Sequence, residues 1–452
     1  MSSERAEDLV VQLGSFSALE RRRALEGLVR AADAKVLTRR RPEVNLHCHT
    51  LFSYNAYGYS PSRFAWEAAR YGLEAAGIVD FDVLDGTREF LEAGKLLRLK
   101  TVAGFETRVF IEELRDRVTN SPHEPGVSYF ITTGFTAPPE QGTSAARTLA
   151  SMAECAQRRN RTMLDRANAH LEPVAVDYER DVLPLTPAGN ATERHMLIAY
   201  ERRAQEVFRD EPRLVDFWSA KLSEPKASVK RLLADPVALR SLMRTRLMKH
   251  GGVGYAAPEQ GSFPRLEAVV QMTLDCGAIP SGGWLDGMNN GEADPVELFR
   301  FWLGKGIPTV TIIPDRNWNV SDPEQKAIRV SKLEEAVRAA VDLQMPILVG
   351  TEMNADGQKF VDTFSAPEME PHREAFLDGA HFAWGHTFLK GAVGVGCTGR
   401  WAEQHFGDDA ARRNEFFRRV GAGPYLEAET FRRLADQGPD APPEALLRAL
   451  SH

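Results

Sequence analysis

Seven short apolar runs alternate with amphipathic segments through the central part of the chain. Each run ends in polar or small residues, and we predict that they form β-strands at 43–49, 75–82, 101–106, 127–135, 277–284, 307–317 and 346–354. Residues 60–72 and 326–344, which lie between runs, have the spacing of amphipathic helices. Strand–helix alternation indicates a parallel sheet with crossover helices, and seven or eight such units predict a closed β/α barrel. In such barrels the active site lies at the carboxyl ends of the strands.

Three segments fall outside this alternation. Residues 1–40 repeat leucine near helical spacing, which predicts an N-terminal helical segment. Residues 142–250 are rich in Arg, Ala, Leu and Glu, and they predict a helical insertion between the fourth and fifth strands. Residues 366–452 are expected to form a mostly helical C-terminal extension. The barrel itself is therefore predicted to comprise 41–141 and 251–365, a distorted (β/α)7 arrangement within an α/β fold.

Composition is that of an ordinary globular protein. Of 452 residues, 43% are hydrophobic and 26% charged, and the net charge is −7. The strongest basic cluster, at 39–43, is short, so nucleic acid is not an expected partner. The cysteines at 48, 155, 276 and 397 form no CxxC pair, which fits a reducing compartment. Neither a signal-peptide core nor an apolar run of ~20 residues occurs, and we expect a cytoplasmic protein without a membrane partner.

The first strand ends in two histidines. Because side chains alternate along a strand, His47 and His49 lie on one face, about 6–7 Å apart, and their rings can converge on one metal ion. Other strand ends carry acids, namely Asp80, Asp82, Glu106, Asp315 and Glu352. Each histidine could instead bond a neighbouring carbonyl, and each acid could cap a helix or form a salt bridge. A shared site at one end of the barrel accounts for all of them together.

These motifs resemble the polymerase-and-histidinol-phosphatase (PHP) family. The order is HxH on the first strand, VDFD on the second, GFE on the third and GTEMN on the last. The family's signatures run DLHxH, TDH, GxE, AHP and GSDxH, and no motif here is complete. The segments 160–171 and 189–204 resemble the helical insert of PHP phosphoesterases, which carries a GRPH-like element. The resemblance spans about 43–360 and implies a distorted seven-stranded β/α barrel.

The resemblance also implies metal ligands. PHP enzymes typically bind up to three ions, and the ligands of the first would be His47, His49, Glu106 and Glu352. Ligands of the other two ions are replaced by residues that do not normally bind transition metals: Asn55, Phe81, Asn354, Tyr129 and Trp284. We therefore expect one divalent ion, with zinc as the first choice and manganese or iron as alternatives.

Further residues are candidates for catalysis and substrate binding. Asp80 or Asp82 could orient a histidine or act as general base, and both could instead shape the turn before the second helix. Arg316 could grip a phosphate or carboxylate, or pair with Asp315 at the rim. Two residues at the GRPH-like position could reach over the site and bind an anionic substrate, namely Arg194 and His195.

The sequence thus favours a metal-dependent hydrolase that uses one metal-activated water. A small, anionic substrate is expected, and a phosphoester is favoured by the family resemblance alone. Aromatic residues near the predicted mouth leave open a less charged substrate. The alternative class is a non-catalytic, PHP-like binding or regulatory protein with a degenerate metal site.

Overall fold

The computed structural model describes residues 3–258, 261–425 and 428–450. At its centre lies a seven-stranded sheet whose strands follow one another in chain order. The strands are β1 (Arg41–Cys48), β2 (Leu73–Phe81), β3 (Lys100–Phe110), β4 (Val127–Thr133), β5 (Ile279–Trp284), β6 (Thr309–Ile312) and β7 (Ile347–Val349). Each coincides with one predicted apolar run. The α/β barrel prediction is confirmed.

The prediction that all strands are parallel is wrong for β4. It pairs antiparallel with both β3 and β5, whereas the other neighbouring strands pair parallel. The connection from β3 to β4, residues 111–126, contains only one short 3-10 turn at Glu112–Leu114. Because a parallel pair needs a crossover connection, usually a helix, this connection favours antiparallel pairing.

The barrel is nearly closed between the end of β1 and the residues that follow β7. His49 N donates a hydrogen bond to Glu352 O over 2.8 Å, and Glu352 N donates to His47 O over 2.8 Å. Cys48 and Glu352 form a parallel bridge at this point. The two histidines and Glu352 are therefore neighbours although about 300 residues separate them in sequence.

Helices surround the sheet. Before β1 the chain forms α1 (Ser3–Gln12), α2 (Ala18–Ala31) and α3 (Ala34–Thr38). Helices packed around the strands are α4 (Pro61–Tyr71), α5 (Thr87–Leu97), α12 (Pro295–Gly304), the short α13 (Asp315–Trp318) and α14 (Pro323–Asp342). Ser60 caps α4: its hydroxyl accepts a hydrogen bond from Arg63 N, and Pro61 occupies the first turn.

A helical segment connects β4 to β5. It comprises α6 (Ser144–Leu171), α7 (Glu193–Val207), α8 (Glu211–Leu222), α9 (Lys226–Leu233), α10 (Pro236–Met243) and α11 (Leu266–Asp275). The first half of α6 packs into the barrel core through Met152, while its second half, with Met163 and Leu164, belongs to a separate apolar core. Because β4 runs antiparallel, it ends at the amino end of the barrel. The 28-residue α6, roughly 42 Å long, returns the chain to the carboxyl end.

The C-terminal helices cover the opposite end. They are α15 (Arg373–Val393), α16 (Arg400–Phe406), α17 (Ala410–Ala422), α18 (Ala428–Ala435) and α19 (Pro443–Leu450). Helix α15 packs against β1 and β7, and its His386 ring lies against Gly134, just after β4. The amino end of the barrel is thus sealed, and access is left at the carboxyl end. Among the described helices, none combines the length and apolarity that crossing a bilayer would require.

Candidate metal centre and its cavity

Two histidines and one glutamate converge at the carboxyl end of β1 and β3. One ligand atom from each of His47, His49 and Glu106 lies within 4.8 Å of the others. His47 Nε2 is 3.2 Å from Glu106 Oε2, and His49 Nε2 is 2.9 Å from the same oxygen. All three side chains are buried. The strands themselves bring these residues together, because β1 and β3 both flank β2 in the barrel.

Two ring nitrogens in this group have no hydrogen-bond partner among the described residues: His47 Nδ1 and His49 Nε2. His49 Nε2 is close to the Glu106 carboxylate, but the approach is not aligned for a hydrogen bond. Buried polar atoms are normally paired. Two imidazole nitrogens and a carboxylate oxygen are a suitable donor set for a divalent transition metal, so the residues fit such an ion.

The charges in the group reinforce one another. Burial opposes ionisation of Glu106, but the two histidines outweigh it and hold the pKa of Glu106 at about 2. Burial lowers the pKa of His49, but Glu106 outweighs that effect and leaves this pKa raised. Glu106 is therefore a carboxylate at neutral pH, the form that binds metal.

Asp80 supports the centre from behind. Its carboxylate accepts hydrogen bonds from Thr50 N over 2.7 Å, Thr50 Oγ1 over 2.6 Å and Ser53 Oγ over 2.7 Å. Ser53 Oγ in turn lies 3.2 Å from His49 Nδ1. The hydrogen bonds that link Asp80 to Ser53 and Ser53 to His49 fix the imidazole ring of His49 so that its Nε2 faces Glu106. Asp80 does not line the cavity, and its place matches the orienting role among its two predicted roles.

Glu352 lies beside the group but not within it. Both its carboxylate oxygens accept from Arg316 Nη2, over 2.7 and 2.9 Å, and one also accepts from Gln358 Nε2 over 2.9 Å. Burial opposes its ionisation, but Arg316 holds the pKa of Glu352 below its usual value. The backbone is left-handed at Glu352 (φ +66°) and Met353 (φ +55°), a conformation that costs non-glycine residues about 1–2 kcal/mol each. Backbone strain is therefore present where the residues that follow β7 pair with the end of β1.

The centre opens into a cavity of about 740 Å³ between the barrel mouth and the helical segment. Among the lining residues are the cations Arg108, Arg159, Arg194, Arg244, Lys249, Arg316 and Lys359. The lining acids are Asp82, Glu106, Glu124, Glu193, Asp315 and Glu352. The lining cations exceed the acids by one, and the guanidinium groups among them have the geometry that matches an oxyanion.

The remaining predicted residues fall in different places. Asp82 lines the cavity and accepts a hydrogen bond from Thr107 Oγ1 over 2.5 Å. Asp315 also lines it, 3.3 Å from Lys359 Nζ, and does not pair with Arg316.

The two residues at the GRPH-like position separate. Arg194 lines the cavity, whereas His195 does not. The His195 ring closes a capping box at the start of α7, where its Nδ1 accepts from Thr192 N over 3.0 Å. Burial lowers the pKa of His195 to about 4, so the ring is neutral.

The positions that correspond to further PHP ligands are filled by side chains with other contacts. Phe81 stacks on His49 with ring centres 4.2 Å apart, and Trp284 is buried in the barrel core. Asn55 Nδ2 donates to His49 O over 2.8 Å. Tyr129 and Asn354 line the cavity. The aromatic rings occupy volume beside the three-residue group and wall it in.

Sequence reasoning missed three arginines of the cavity, namely Arg108, Arg159 and Arg244. Arg108 stands two residues after Glu106 on β3 and so shares its face, a relationship that strand alternation could have revealed. Arg159 lies within α6, where nothing in the spacing distinguishes it from neighbouring arginines.

No protein-family model matches this sequence, and no curated protein matches it. Among solved structures, a protein from Bifidobacterium adolescentis described as a metal-dependent phosphoesterase aligns at 16% identity and a TM-score of 0.45, covering 70% of this chain and 88% of that one. An amidohydrolase from Chromobacterium violaceum aligns at 14% identity and a TM-score of 0.47, covering 74% of this chain and 96% of that one. Likenesses this distant do not bear on the reaction.

Proposed function

We propose that this protein is a metal-dependent hydrolase of the PHP type that acts on a small anionic phosphoester with one divalent ion. The observation that carries the proposal is the buried group of His47, His49 and Glu106, with two unpartnered ring nitrogens, at the floor of an arginine-lined cavity. Zinc is our first choice of metal. The four unpaired cysteines are consistent with a reducing compartment, and we propose the cytoplasm.

His47, His49 and Glu106 would hold the ion, with Glu352 as the fourth candidate ligand, whose negative charge Arg316 balances. When bound there, the ion would supply Lewis-acid polarisation of water and of a substrate oxygen. The orienting chain from Asp80 through Ser53 would keep the His49 ring fixed.

The residues of the cavity would carry the remaining work. Arg194 and Arg316 would bind the substrate's phosphoryl oxygens, and the aromatic walls and the helical segment would limit the entry of bulk water. Asp82 faces the cavity and is our candidate for general base. In hydrolysis the water oxygen forms a bond to phosphorus as the ester P–O bond breaks. The water proton passes to the Asp82 carboxylate, the departing oxygen takes up a proton from solvent water to leave as an alcohol, and Asp82 then returns its proton to solvent.

Metal content and turnover test this proposal together. Protein purified without added metal is expected to contain close to one equivalent of a divalent ion, and less than about a tenth would reject the metal centre. After loading with Zn, Mn or Fe, it should hydrolyse a member of a panel of chromogenic phosphoesters.

The Glu106→Gln variant should lose the ion and all activity, whereas Glu112→Gln, at an exposed glutamate, should retain both. Activity that survives Glu106→Gln would reject the assigned site. A bound ion without turnover on any ester would support the binding or regulatory alternative.

A further inference from the structure

We infer that Arg159, together with Arg108 and Phe263, forms a second oxyanion subsite in the cavity, beside the candidate metal centre. The substrate would then carry a phosphate or carboxylate in addition to its reacting phosphoester. Assignment of this group to the substrate rests on the proposed function, while binding of an oxyanion at these residues does not.

The two guanidinium groups gather around one aromatic ring. Arg108 Cζ is 4.5 Å and Arg159 Cζ 4.7 Å from the centre of the Phe263 ring, and both arginines line the cavity. Arg108 follows Glu106 by two residues on the same face of β3, a separation of about 6–7 Å along the strand. The subsite is therefore within the reach of a small molecule bound at the metal centre.

Only one of these two cations is neutralised by an ion pair. Arg108 Nη1 donates to Glu124 Oε2 over 2.9 Å, and the Glu124 carboxylate also accepts from Ser121 and Tyr255. Arg159 has no carboxylate within 4 Å among the described residues, and its Nε has no hydrogen-bond partner among them. Among the described residues, Arg159 makes one hydrogen bond, from Nη1 to Ser262 O, which is long at 3.5 Å.

The environment of Arg159 makes this unpaired charge unfavourable. Burial, and next the proximity of Arg108, lower the pKa of Arg159 to about 10, so the side chain still carries its charge at neutral pH. The Asp82 carboxylate raises the pKa of Arg159 from a longer distance. This carboxylate accepts a hydrogen bond from Thr107 Oγ1. Arg159 is half-buried. A cation that is partly removed from water is normally paired, and an oxyanion beside the two arginines would supply the missing partner.

The shape of the subsite favours an oxyanion over other ligands. Guanidinium groups present parallel N–H donors that match phosphate and carboxylate, and stacking on Phe263 restricts their orientation. Arg108 belongs to the barrel and Arg159 to α6, so a shared oxyanion would also bridge the barrel and the helical segment.

Titration of metal-free protein with inorganic phosphate and, in a second arm, with acetate tests the inference by calorimetry. After treatment with a chelator, the wild-type protein should bind at least one of these anions, and the preferred anion identifies the group. Arg159→Gln should weaken that binding roughly tenfold to a hundredfold, the effect expected for loss of charged hydrogen bonds. Arg159→Lys keeps the charge but loses the parallel N–H donors of the guanidinium group, and it should retain part of the affinity for the anion.

Arg158→Gln is the matched control, because Arg158 is exposed on the same helix, does not line this cavity and carries the same charge. It should leave anion binding unchanged, and thermal melting of each variant should show a folded protein. The inference is overturned if neither anion binds, or if Arg158→Gln or Arg194→Gln removes the binding while Arg159→Gln does not. Neither metal nor turnover enters this measurement, so failure of the proposed hydrolase would not decide it.

Discussion

Arg316 Nη2 donates to both carboxylate oxygens of Glu352, at 2.7 and 2.9 Å, immediately beside the three-residue metal group. Glu352, a predicted metal ligand, is thereby paired with Arg316, which is predicted to bind a phosphate or carboxylate of the substrate. Because this pairing competes with coordination, Glu106 and Glu352 should differ in their importance for metal binding.

We expect Glu106→Gln to lower zinc affinity at least 100-fold and Glu352→Gln to lower it about tenfold, the lower end of the range for residues that support a metal site. Competition with a chromogenic chelator measures both values. Equal losses for the two variants would mean that Glu352 coordinates fully and that Arg316 releases it when metal binds.

Ser53 links Asp80 to the His49 ring, and among the described residues its hydroxyl is the only side-chain hydrogen-bond partner of His49 Nδ1. We expect Ser53→Ala to lower metal affinity roughly tenfold, because the ring loses the group that fixes its orientation. Thr50→Val removes a hydrogen bond to the same Asp80 carboxylate but leaves the Ser53 bridge, and it should have a smaller effect. Chelator competition on both variants would refute the orienting role if their affinities fell equally.

Gly350 allows the end of β7 to pack directly on β1. A Cβ atom at this position would lie 2.5 Å from His47 Cβ, far inside contact distance. We expect Gly350→Ala to destabilise the fold by about 1–3 kcal/mol, as overpacking in a core does, and to weaken metal binding by displacing His47.

Urea unfolding and chelator competition measure the two effects of Gly350→Ala. Gly304→Ala serves as the control, because nothing lies within 4 Å of a Cβ there and the residue ends a helix. It should be neutral or slightly stabilising. A Gly350→Ala protein with wild-type stability and metal affinity would contradict the close packing.

The strands of this fold could be predicted because they are buried on both faces. A buried strand appears as a continuous apolar run, and here the runs that form β1 and β3 end in the polar residues of the barrel mouth. The direction of β4 could not be obtained from the same pattern, since periodicity carries no information about pairing. It follows from the connection 111–126, which is too irregular to supply a crossover helix.

The candidate site was predictable where the backbone alone determines position. His47, His49 and Glu106 meet because β1 and β3, which flank β2, end at the same side of the barrel. The partners of Glu352, Arg194 and His195 depend instead on side-chain conformations and on how the helical segment folds over the mouth, which no local pattern records. Arg159 illustrates the limit, because it is one of several arginines on α6 and only the three-dimensional structure turns it toward the cavity.

Glu292 is fully buried in the loop after β5, where its carboxylate accepts hydrogen bonds from Leu285 N over 2.8 Å and Asp286 N over 3.5 Å. Burial outweighs these bonds and raises the pKa of Glu292 to about 7, from an ordinary value of 4.5. Between these two pH values the folded protein binds a proton that the unfolded chain has lost. The contribution of Glu292 to stability is therefore fully present below pH 4.5 and is lost as the pH rises through 7.

The loss is on the order of 3 kcal/mol by proton linkage. We expect Glu292→Gln, which keeps a hydrogen-bond acceptor for Leu285 N without the charge, to be more stable than the wild type at pH 8 and to differ less from it at pH 4.5. The free energy of unfolding in urea at the two pH values measures this, and comparing variant with wild type cancels the titration of all other groups. Glu297→Gln, at an exposed glutamate, should follow the wild type at both pH values. A Glu292→Gln protein whose stability fell with rising pH as steeply as the wild type would show that Glu292 is ionised in the folded protein throughout this range.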